Sequence, residues 1–180
     1  MRLCRTSLLL CALLLAGCAT PGMPDRHAGT PPTAASDEAR FRKVAENLFT
    51  SGQPAPSQWA ELRARGVTTV INLRPDEEMA GRDEASEVAV AGMAYRQFGI
   101  GGPQDVTDEN ATRIQAWIDE APGPVLLHCA SGNRAGALLA VIAARKGMPP
   151  KAALELGRDA GMTSLEPAVR ALIAPADPSR

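Results

Sequence analysis

The stretch His128-Cys129-Ala130-Ser131-Gly132-Asn133-Arg134-Ala135-Gly136 holds residue types at a spacing that could do covalent chemistry. It follows a nearly all-apolar segment and precedes a helical one. A cysteine leaving a buried strand for a tight turn before a helix lies among inward-turned amide N–H groups, and such a turn binds anions. Gly132 permits a positive φ there, and Asn133 tolerates one better than most residues. The helix dipole and Arg134 both favour the thiolate over a thiol whose pKa is about 8.5 in the free side chain. Arg134 adds a planar fork suited to two phosphoryl oxygens. The pattern describes a nucleophilic sulfur, Cys129, facing a tetrahedral oxyanion clamped by Arg134 and lined by Ala130, Ser131, Gly132 and Asn133. His128 reads as a residue that organises this loop.

The elements that must hold the loop can be read on either side of it. Residues 124–128, Pro-Val-Leu-Leu-His, predict a short central strand, and 135–146 a helix. Upstream, a strand over 47–51 ends in the turn Gly52-Gln53-Pro54, and a helix over 57–65 is closed by Gly66. The β-branched run 67–73 predicts a buried strand, 77–91 a helix ended by Gly92, and 94–98 another strand. Thr107 is a good N-cap for a helix over 108–120, with Ile114, Trp117 and Ile118 on its inward face. Trp59 is assigned to the core with Trp117. Two short helices, 151–159 and 165–172, close the chain. Strands alternating with helices predict an α/β fold with a central, mostly parallel sheet flanked by helices, and ligands then bind beyond the carboxyl ends of the strands.

The loop resembles the signature of the cysteine-dependent protein tyrosine phosphatase superfamily, which opens His-Cys and ends with Arg. The segments 47–54 (Asn-Leu-Phe-Thr-Ser-Gly-Gln-Pro) and 70–78 (Val-Ile-Asn-Leu-Arg-Pro-Asp-Glu-Glu) extend the likeness to the beta-lactamase-hydrolase-like phosphatase family. The resemblance covers roughly residues 41 to 150. It implies hydrolysis of a phosphomonoester through a phosphocysteine intermediate, with no metal and no cofactor. Four residues separate Cys129 from Arg134 where the usual signature has five, and Ala135 stands where Ser or Thr is usual. A loop of that length also resembles rhodanese-type sulfurtransferases. A sulfurtransferase and a non-catalytic phospholigand-binding module therefore stand as alternatives.

A phosphatase needs an acid for the leaving oxygen, normally an Asp on a mobile loop. The glycine-rich stretch 99–108 carries two. Asp108 falls in a first helical turn, where an acid simply favours the dipole, so Asp105 is the candidate. Arg74 and Gln53, each just past a strand's carboxyl end, are possible substrate contacts. An ion pair of Arg74 with Asp76 or Glu77 is an equal alternative.

Composition narrows the field. Nineteen Lys and Arg against 20 Asp and Glu leave a formal charge of −1, and with three lysines and no basic run, nucleic acid is not an expected partner. Two histidines, His27 and His128, cannot build a multi-histidine zinc site. Arg2 and Arg5 precede an apolar run over 8–16, too short to span a bilayer and suited to a signal peptide. The run ends in Leu15-Ala16-Gly17-Cys18, which resembles a bacterial lipoprotein box. That likeness implies removal of 1–17, lipid on Cys18, and a lipoprotein of the cell envelope facing the periplasm, at the outer membrane because Ala19 and not Asp follows the cysteine. Residues 18–38, with His27, are proline-rich and small, and read as a tether; 39–175 is the expected domain.

Overall fold

The computed structural model describes residues 40–175. The expected signal segment, Cys18 and the tether lie outside the described residues. Five strands form one sheet: β1 (Arg42–Ala45), β2 (Leu48–Ser51), β3 (Thr69–Asn72), β4 (Ala94–Gln97) and β5 (Val125–His128), in the order β1-β2-β5-β3-β4. Only the β1–β2 pair is antiparallel; β2, β5, β3 and β4 run parallel, so the sheet is mostly parallel as expected. Strand β5 is central and buried at all four positions, with Leu126 facing one layer and Val125 and Leu127 the other.

On one face, α1 (Trp59–Ala64) and α2 (Glu84–Val90) cover Phe49, Val70 and Leu126. On the other, α3 (Asp108–Asp119), α4 (Asn133–Arg145), α5 (Pro150–Asp159) and α6 (Glu166–Ile173) enclose the larger core around Ile71, Leu73, Val125 and Leu127. Helix α4 is buried continuously from Ala135 to Ala143. It achieves this by contact of small residues: a methyl group on Gly136 would fall 2.4 Å from the carbonyl oxygen of Gly157 and the amide nitrogen of Met162. No helix among the described residues is long and apolar enough to cross a membrane.

Two expectations are corrected. The helix expected over 77–91 is broken. Asp76–Met79 forms a 3₁₀ turn, Gly81 takes φ +81°, and α2 starts afresh at Glu84 with Asp83 accepting the Ser86 amide at 3.0 Å as N-cap. An Asx cap beside a left-handed glycine outcompetes continuation of the helix. Strand β1 was not expected at all. Its four residues alternate half-buried and exposed, and it gains its order by pairing on β2. Trp59 is core, whereas Trp117 is half-buried and packs edge-on to Phe98 at the core's margin.

Candidate active site

Strands β2, β3 and β5 deliver their carboxyl ends to one place. The turn after β5 is held against the turn after β2, with the Gln53 amide donating to the Ala130 carbonyl at 3.1 Å. On its other side, the Leu73 amide donates to the His128 carbonyl at 2.9 Å. Cys129 is fully buried at the start of this turn. Gly132 takes φ +93° as N-cap of α4, and its amide donates to Cys129 Sγ at 3.1 Å. The Ala130 and Ser131 amides have no hydrogen-bond partner among the described residues. Asn133 and Arg134 are the first residues of α4, where no preceding turn can accept from the amides. The turn is therefore a ring of N–H donors at the positive end of a buried helix, with a sulfur at its base.

Arg134 lies beside this ring. Its Nη1 and Nη2 donate to the two carboxylate oxygens of Glu78 at 2.8 and 2.7 Å, and Nη1 also donates to the Ile100 carbonyl at 2.8 Å. Burial works against the guanidinium charge. The Glu78 hydrogen bonds and the neighbouring Cys129 more than offset it, so the Arg134 pKa rises above its ordinary value. Hydrogen bonding from Arg134 in turn holds the Glu78 carboxyl below the usual carboxylate range against partial burial, with Arg74 assisting.

Arg74 pairs with Glu78, not with the expected Asp76 or Glu77. Its Nε donates to Glu78 Oε2 at 3.3 Å, one Nη donates to the Glu78 carbonyl, and the other donates to Gln53 Oε1. The 3₁₀ turn sets this up by folding Glu78 back over the end of β3. Gln53 passes the contact on, its Nε2 bonding Glu84 Oε2. Glu84, buried at the start of α2, holds His128 Nε2 at 2.7 Å with its other oxygen. His128 is fully buried, stands edge-on to Trp59, and its Nδ1 has no partner among the described residues.

Two other candidates sit differently from their expected roles. The Asn133 side chain turns away from the ring: Oδ1 accepts from the Thr163 and Leu165 amides at 2.7 and 3.3 Å, and Nδ2 donates to Ser164 Oγ. It staples the α5–α6 connection to the loop, and only its backbone remains for an anion. Asp105 Oδ2 accepts from the Gly101 and Gly102 amides at 2.7 and 3.2 Å, so the carboxylate closes its own turn. That turn begins at Ile100, whose carbonyl accepts from Arg134. Asp108, in the first turn of α3, pairs with Arg145 at 3.2 Å. Among the described residues, no group of three or more His, Cys, Asp or Glu is placed to hold a metal ion.

Glu78 and Glu84 are the site members that the sequence reading missed. Glu78 sits in an acidic run that reads as a solvated helix face, and Glu84 falls in the middle of the helix expected over 77–91, where it looks like any surface acid. Neither signals its burial against a cation or a histidine.

A mostly parallel α/β sheet with a cysteine–arginine loop at its carboxyl edge defines the class. Residues 40–146 match the family model for the beta-lactamase hydrolase-like protein, phosphatase-like domain. The chain belongs to this family. It is 36% identical over 97 residues to the beta-lactamase hydrolase-like protein of Agrobacterium fabrum, a match covering 52% of this chain but 22% of that protein. The fold is shared with a candidate phosphatase of Neisseria meningitidis (TM-score 0.62, 22% identity, covering 71% of this chain and 94% of that one). It is shared as well with TpbA of P. aeruginosa, solved in complex with phosphotyrosine (TM-score 0.56, 22% identity, covering 81% and 93%).

The Glu78–Arg134 pair makes a pH prediction. A carboxyl held below its unfolded value, about 4.3 for Glu, contributes stability above that pH and loses it as pH falls through the lower folded value. Wild type should therefore exceed Glu78→Gln in denaturation midpoint above about pH 5, and the gap should narrow towards about pH 2. Urea titrations across this range check it; a gap that is constant with pH would show that Glu78 contributes packing and not charge.

Proposed function

We propose that the domain is a cysteine-dependent phosphomonoester hydrolase working through a phosphocysteine intermediate. The observation that carries this is the buried Cys129 sulfur at the N-cap of α4, bonded by the Gly132 amide and beside the Arg134 guanidinium. In that position the sulfur faces the place where the loop amides can seat a phosphoryl group. The amides of Ala130, Ser131, Asn133 and Arg134, with the Arg134 side chain, hold three phosphoryl oxygens. Glu78 occupies the Nη edge of Arg134 and so leaves Nε directed elsewhere than to Glu78. Membership of a phosphatase-like family supports the same reading.

In the first step the sulfur lone pair forms an S–P bond as the ester P–O bond breaks, and the leaving oxygen takes a proton. In the second, water attacks phosphorus, the S–P bond breaks with its electrons returning to sulfur, and the water proton passes to the same acid–base group. Asp105 is the proposed group. The Gly101 and Gly102 amides both bond its Oδ2, which leaves Oδ1 to carry the proton.

The purified protein should hydrolyse an aryl phosphate in the presence of a chelator and make no thiocyanate from thiosulfate and cyanide. Cys129→Ser should cost at least roughly 10³-fold in rate without loss of fold. An undiminished rate would exclude the mechanism.

Asparagine keeps an oxygen for the Gly101 and Gly102 amides but cannot give up a proton. Asp105→Asn should slow alkyl phosphate hydrolysis by about 10²–10⁴-fold and an activated aryl phosphate much less, because only the basic alkoxide needs a proton to depart. A leaving-group-dependent defect in Asp108→Asn would assign the role to Asp108.

We further propose that the domain is carried on a membrane of the bacterial envelope through lipid on Cys18. The Leu15-Ala16-Gly17-Cys18 sequence after an apolar run supports this. Cys18→Ser should yield unprocessed or soluble protein in a bacterial host labelled with a fatty acid; wild-type protein recovered without label would refute the anchor.

A further inference from the structure

Arg42 is a cation that neither the fold nor the proposed reaction uses. It lies on β1 opposite Thr50, whose hydroxyl donates to the Ala160 carbonyl at 2.8 Å on the α4–α5 face. Paired residues of antiparallel strands point to the same face, so Arg42 also points there. It reaches the Cys129 loop from outside. A methyl group on Gly132 would lie 3.4 Å from Arg42 Nη1, and one on Gly161 would lie 3.3 Å from it.

Two facts make this placement costly without a ligand. Gly132 is the N-cap of α4, so a guanidinium stands at the positive end of a helix dipole, where an anion and not a cation is favoured. No described carboxylate answers it: Arg42 makes no ion pair or hydrogen bond among the described residues, whereas Arg74, Arg134 and Arg158 all have carboxylate partners. The described acids that follow β3 and β4 stand on the opposite flank. Asp76, Glu77 and Glu78 follow β3, and Asp105 follows β4. The rim of the loop is thus acidic towards β3 and β4 and cationic towards β1.

We infer that Arg42 is a specificity-determining residue that receives a second anionic group of the substrate while the reacting phosphoryl group lies at Cys129. The inference rests on the phosphatase reading and adds the substrate class: a phosphomonoester with a further anion within a side chain's reach. An organic bisphosphate and a phosphotyrosyl peptide flanked by glutamate both present that chemistry.

The test uses the full chain and two matched pairs of compounds. One pair is a sugar bisphosphate and its monophosphate; the other is a phosphotyrosyl peptide with flanking glutamates and its glutamine counterpart. Wild type should favour the more anionic member of at least one pair by about tenfold in kcat/KM, and the pair that discriminates identifies the source. The preference should shrink as salt rises from about 0.05 M to about 1 M, where the Debye length falls to roughly 3 Å. Arg42→Gln, which keeps a polar side chain, should bring the ratio close to one, and Arg42→Lys should restore part of it. A wild type that discriminates neither pair, or an Arg42→Gln protein that keeps the preference, overturns the inference. Should wild type turn over nothing, the phosphatase reading fails. The same ratios read as binding constants by calorimetry on Cys129→Ser then decide Arg42 by the same two outcomes.

Discussion

An anion site needs a cation that its own protein leaves partly unspent. A half-buried guanidinium with no counter-charge is costly, and one fully satisfied by carboxylates has nothing left to offer. Here Glu78 takes the Nη edge of Arg134 with both oxygens and fixes the plane of the fork. The rest of the site depends on that pairing. Arg74 holds Glu78, Gln53 holds Arg74, Glu84 holds Gln53, and Glu84 reaches His128, which is bonded through the chain to Cys129. The contacts form a closed ring whose members come from the ends of β2, β3 and β5 and the start of α2. Along one side of it Glu78 lies between two cations, Arg134 and Arg74.

The ring can form because the parallel sheet places the carboxyl ends of β2, β3 and β5 side by side. Beneath them, the absence of a side chain at Gly136 lets the backbone of α4 lie against Gly157 and Met162. The N-terminus of α4 is thereby held at a fixed depth under the loop. Asn133 fixes it laterally by taking two amides of the α5–α6 connection. Packing thus decides the direction in which the loop amides point, and polar contacts decide what faces them.

Much of this was legible in residue patterns. The alternation of strands and helices, the nearly all-apolar β5 and the Thr107 cap follow from local chemistry that the fold does not override, and Cys129 and Arg134 follow from the loop's spacing. What was not legible depends on distance in sequence. Strand β1 has no hydrophobic run and exists because β2 offers it an edge. Glu84 and His128 are 44 residues apart, and only the fold turns an acid from the middle of an expected helix into a buried partner. Arg74 illustrates the same limit: its neighbours Asp76 and Glu77 were equally plausible on spacing, and the 3₁₀ turn selected Glu78. Asn133 was assigned from a backbone preference, while its side chain was claimed by a loop thirty residues further on.

The absence of a hydroxyl after Arg134 has a compensation in the same geometry. Ala135 is fully buried in the first turn of α4 and belongs to the same core cluster as Cys129. In the proposed reaction the thiolate must be good at two opposed tasks, attack and departure. A donor that stabilises the sulfur anion weakens it as a nucleophile less than in proportion, since nucleophilicity falls only about half as steeply as basicity. The same donor also makes it a better leaving group when the S–P bond breaks. The Gly132 amide, at 3.1 Å from Sγ and fixed by a left-handed backbone that glycine adopts without strain, is such a donor. A backbone N–H needs no rotamer and no room in the core, so the short loop can supply from its main chain the hydrogen bond that a longer signature takes from a side chain.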